Sequence, residues 1–94
     1  MVCNRLLKPN GLLIQWGTLK DSSTSNGFTT ITQNFYTGVT FTEPPTIITD
    51  VFANAGDIEI EHCLIYNGIG TSSFKIYRRQ YATYRGHTWI AIGY

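Results

Sequence analysis

Nowhere in this chain do apolar residues recur at the three-to-four spacing that a helix needs. Threonine, isoleucine, valine, tyrosine and phenylalanine instead gather in short runs, separated by glycine, proline, asparagine and serine. That is the pattern of short strands joined by turns, and at this spacing it predicts a sandwich or a barrel. Six strands are expected. The first, 12–16, follows the Pro9-Asn10-Gly11 turn, and the second, 30–41, is interrupted near Gly38. Pro44-Pro45 opens the third, 46–52. The fourth, 58–66, is followed by an Asn67-Gly68 turn, a strong hairpin signal. The fifth covers 73–79 and the sixth 88–94. The polar stretch 21–27 reads as an exposed loop.

The faces of these strands say more than their number. In the fourth, Glu59 and Glu61 point one way while Ile58, Ile60, His62 and Leu64 point the other, as in any half-exposed strand. The closing strand differs. Trp89, Ala91 and Gly93 fall on one face, Ile90, Ile92 and Tyr94 on the other, and neither face carries a charge. Residues 12–16 and Ile47-Ile48 are also apolar on both sides. A strand apolar on both faces has to be covered on both. One cover is the opposing sheet. In a small domain without helices, the other is a neighbouring subunit, unless one thick sandwich encloses both faces.

Size points the same way. A single domain of 94 residues buries only about 60–65% of the surface its unfolded chain exposes, so its own core stabilises it thinly. Cys3 and Cys63 could form one bridge at most. They read as free thiols, since cysteine often serves as a small buried hydrophobe, and this leaves oligomerisation as the source of extra stability. The net charge is +1 and charged residues make up 14% of the chain, which argues against a nucleic-acid binder with its strongly basic face. With 43% hydrophobic residues, disorder is not expected either. No apolar run exceeds four residues, far too short for a membrane span, and the first residues lack the apolar stretch of a signal peptide.

Three segments, taken in order, resemble a known family. They are Asn10-Gly11-Leu12-Leu13-Ile14-Gln15-Trp16-Gly17, then Phe35 to Phe41 with Pro44-Pro45 and a β-branched strand, and lastly Trp89-Ile90-Ala91-Ile92-Gly93-Tyr94. The chain so resembles the C-terminal tip domain of bacteriophage tail fibres, and in outline the six-stranded H-type lectins. The resemblance implies a six-stranded antiparallel β-sandwich, residues 1–94, assembled as a homotrimer at the end of a longer fibre chain. It implies a place on the virion, at the distal end of the tail fibre, after assembly in the host cytoplasm. It further implies attachment to bacterial surface polysaccharide or an outer-membrane receptor. The residues themselves hold no nucleophile motif, phosphate loop or metal-ligand spacing, so no enzyme activity, cofactor or metal is expected, nor membrane insertion. A free-standing H-type lectin and a purely structural trimerisation foot are the alternatives.

Residues 77–87 hold three tyrosines, three arginines and a histidine. This mixture suits sugars, because an aromatic ring stacks on a pyranose while cationic and amide donors meet its hydroxyls or an acidic group. Tyr81, Tyr84, Arg85 and His87, in the loop before the last strand, are the candidate glycan residues. Tyr77 reads instead as an interface residue, and Arg78 and Arg79 as a solvated edge. Trp16, Trp89, Ile90, Ile92 and Tyr94 are assigned to the core or the trimer interface, the two tryptophans to the core in particular. Asp57, Glu59 and Glu61 suggest a carboxylate cluster, but acids at i and i+2 on a strand are commonly just solvated. His62, alternating with Ile60 and Leu64, is expected to be buried and hydrogen-bonded.

Overall fold

In a computed structural model, residues 5–21, 26–36, 40–53, 62–81 and 85–94 are described. They form two antiparallel sheets. The strands are β1 (Arg5–Leu7), β2 (Leu13–Lys20), β3 (Asn26–Asn34), β4 (Thr46–Ala53), β5 (His62–Leu64), β6 (Ser73–Tyr81) and β7 (Arg85–Gly93). One sheet has the order β1-β2-β7-β4 and the other β3-β6-β5. The all-β, sandwich-like architecture is as the residue pattern implies. Among the described residues, however, there are seven strands rather than six.

The added strand is β1. Its three residues pair with Leu13–Gln15 through a turn in which the Gly11 amide donates to the Lys8 carbonyl at 2.9 Å, while the Asn10 side chain accepts from the Leu12 amide at 3.2 Å. Gly11 adopts φ +90°, which a side chain would strain. The Pro9-Asn10-Gly11 signal is therefore the middle of a hairpin, and the strand before it is too short to show a period.

Other boundaries shift for physical reasons. The second strand leaves its sheet at Asn34, because the Phe35 amide donates to the Ser72 carbonyl and the Tyr36 amide to the buried Gln15 side chain, both near 2.9 Å. Phe35 and Phe41 thereby become core residues outside any strand. The Asn67-Gly68 signal falls in a short 3-10 turn, Tyr66–Gly68, that ends the fourth strand at Leu64. Ile58, Ile60, Asp57, Glu59 and Glu61 lie outside the described residues, as do Gly38 and Cys3. His62 sits on the edge strand β5 and is exposed, not buried. Cys63, its neighbour, carries a free and exposed thiol, so it does not act as a core hydrophobe.

Between the sheets, Phe35 is the centre of an aromatic cluster with Phe41, Phe74 and Trp89 at centroid distances of 5.1, 5.8 and 5.8 Å. Leu13, Ile76, Ala91 and Val51 complete this apolar layer. Gly17 makes room for it: a Cβ there would stand 2.8 Å from Trp89 Nε1 and 2.9 Å from the Tyr36 hydroxyl.

Candidate functional site

Of the four candidate glycan residues, Arg85 and His87 turn out to be strand residues of β7 with 0% exposure, on the same side as Trp89 and Ala91. Strand alternation places 85, 87, 89 and 91 together on the inner face. Neither side chain reaches the surface in this structure. Tyr81 ends β6, but its side chain and all of Tyr84 are outside the described residues.

His87 joins a polar network at one end of the inter-sheet layer, where the Arg85 carbonyl accepts from the Asp21 amide at 2.8 Å. Arg78, expected at a solvated edge, is wholly buried. Its guanidinium donates to both carboxylate oxygens of Asp21, at 2.7 and 3.0 Å, and to the Arg79 carbonyl at 3.1 Å. The fork geometry of arginine suits this two-bond pairing. Arg78 Nε also donates to His87 Nδ1 at 2.9 Å. Accepting there leaves the proton of a neutral imidazole on Nε2, which faces Gln33 Oε1 at 2.9 Å. Burial first, then the Arg78 charge, lower the His87 pKa from 6.5 to about 4, with His62 adding a little and Asp21 opposing. His87 is thus held neutral between Arg78 and Gln33.

Arg78 was legible in the sequence after all. Phe74, Ile76 and Arg78 share one parity of β6, so the side that buries the first two also buries the third. Asp21 had no such signal, since it lies just past β2.

The second candidate surface is the outer face of the four-stranded sheet. Register sets Leu6, Ile14 and Ile92 in one row, and Trp16, Ile90 and Ile48 in the next. Trp16 is 38% exposed, Ile90 39% and Ile48 57%, whereas Trp89 on the opposite face is 2%. The two tryptophans accordingly separate: Trp89 is core and Trp16 is not. Ile92 is half-buried on the outer side, and Tyr94 is exposed. A groove of about 330 Å³ runs beside β7 on this face, lined by Trp16, Thr18, Ile48, Asp50, Thr88 and Ile90 among others. Apolar rows of this kind on an open sheet face are the sort of patch from which interaction surfaces are built.

Among the described residues, no three of His, Cys, Asp and Glu come together to hold a metal ion, and no helix is long and apolar enough to cross a membrane. No family model, curated protein or solved structure matches the chain.

Proposed function

We propose that this chain is a self-assembling adhesion module, the homotrimeric tip domain of a bacteriophage tail fibre that attaches the virion to a bacterial surface glycan or an outer-membrane receptor. The observation that supports assembly is the outer face of β1-β2-β7-β4. Its two apolar rows, Leu6-Ile14-Ile92 and Trp16-Ile90-Ile48, cross the sheet without a charge. Leaving them in water forfeits about 25 cal/mol for each Å² that a second copy could cover. The face asks only for another copy. That the number is three, and that the assembly is a fibre tip, comes from the wording of the segments 10–17 and 89–94.

In this reading the domain is not an enzyme and needs no cofactor. Each site binds weakly, and several sites on one particle raise avidity without new contacts. Light scattering tests the assembly: the native chain should run as a trimer, and a stable monomer at micromolar concentration overturns it. Adsorption to host cells, measured with the purified trimer as competitor, tests adhesion. The burial of Arg85 and His87 favours a second reading, a purely structural foot that registers the fibre while another protein recognises the host. A trimer that does not compete for adsorption selects that reading.

A further inference from the structure

The outer face of the three-stranded sheet is built differently from that of its partner. Phe28 on β3 and Tyr77 on β6 stack with ring centroids 5.7 Å apart and planes only 17° from parallel, although they are 39% and 41% exposed. The Arg79 guanidinium lies 5.9 Å from the Phe28 ring centroid and so backs the pair. A groove of about 340 Å³ opens beside them, lined by Phe28, Tyr77, His62 and Cys63.

Charge completes the picture. Lys75, Tyr77 and Arg79 alternate along β6 and share the outer side, so a cation stands about 7 Å along the strand on either side of Tyr77. Phe28, Thr30, Thr32 and Asn34 of β3, and Cys63 of β5, share this side by register. Among the described residues, no carboxylate does. Apolar rings flanked by cations and hydroxyls fit a flat ring with an apolar face and a negative substituent.

We propose that this face is a saccharide platform, on which an acidic hexopyranose stacks against Tyr77 beside Phe28 while Lys75 or Arg79 meets its carboxylate. The assignment rests on the adhesion reading above and gives it a place and a ligand class. Stacking on an aromatic ring needs no exact hydroxyl pattern, and the charge–carboxylate pair adds preference for acidic sugars. Bases of single-stranded nucleic acid would also stack here. Binding those strands, however, rests on neutralising a run of phosphates, and the described residues of this face offer two cations, Lys75 and Arg79.

The test is an NMR titration of the isotope-labelled full chain with tetragalacturonate, with maltotetraose and oligo-dT as comparisons. Tetragalacturonate should shift the amides of Cys63, Tyr77 and Arg79 and bind more tightly than maltotetraose. Tyr77→Phe should keep this affinity, and Tyr77→Thr, which suits a strand equally well, should lose about tenfold. Lys75→Gln with Arg79→Gln should bring tetragalacturonate down to the affinity of maltotetraose. A folded Tyr77→Thr protein that binds as tightly as the native chain overturns the platform. Preference for oligo-dT overturns it in favour of a nucleic-acid face. If the native trimer competes for cell adsorption yet ignores tetragalacturonate, the platform falls and adhesion stands; if it does neither, both fall.

Discussion

At one end of the layer between the sheets, Phe35, Phe41, Phe74 and Trp89 pack ring against ring; at the other, Asp21, Arg78, His87 and Gln33 are joined by directed hydrogen bonds. The edge of Phe74 meets the His87 ring at 6.4 Å, which is where one end passes into the other. Both ends exclude water, but they fail differently. The apolar end gains stability from area and tolerates approximate fits. The polar end has desolvated a charge pair, and it holds only while every partner is present. Its contribution is to orientation, since the Arg78 fork, the His87 tautomer and the Gln33 amide each admit one arrangement.

The sharpest way to break this contrast is truncation at each end. Trp89→Ala and Asp21→Ala should each cost about 4 kcal/mol in urea unfolding, the first through a cavity and the second through a buried guanidinium left unpaired. Only the second should be repaired by removing its partner. Asp21→Ala combined with Arg78→Met should recover most of the loss, and a double variant as unstable as the single one would show that the pair itself stabilises the fold.

Next in size is pH. His87 is held neutral with a pKa near 4 against 6.5 in an unfolded chain, so between those values the unfolded state takes up the proton and the folded state does not. Stability from this group is therefore complete above pH 6.5, and falls as pH drops towards 4, by up to about 3 kcal/mol. Comparing unfolding midpoints across that window in the native chain and in His87→Gln isolates the effect; the variant should show a flatter profile.

Smaller effects sharpen the distinction between inside and outside. Ile90→Lys should change the stability of the folded monomer by under about 1 kcal/mol, because Ile90 faces away from the core, yet it should abolish trimers in light scattering. Loss of folding instead would place Ile90 in the core. Thr49 has a buried hydroxyl that meets no hydrogen-bond partner among the described residues. Thr49→Val should raise stability by about 1 kcal/mol in thermal unfolding, since it removes that unmet group.

Some of this could be read from residue order. The alternation Trp89-Ile90-Ala91-Ile92 assigns opposite sides to its members whatever the fold, and the uncharged outer side of β7 was visible before any sheet was drawn. Arg78 follows Phe74 and Ile76 inward by the same rule. Period-two patterning is local, so the chain by itself determined which residues share a face, that the elements are strands, and that helices are not expected. Pairing across the sheets is not local. The residues brought together in Asp21–Arg78 and Gln33–His87 are separated by more than fifty positions, and only packing of the two sheets decides which inward polar groups meet. That packing turned Arg85 and His87 from loop candidates into interior residues, moved Trp16 to the open face, and left Phe28 and Tyr77 side by side in solvent. Tertiary structure decided these because each depends on what lies opposite a face, which a strand's own sequence does not encode.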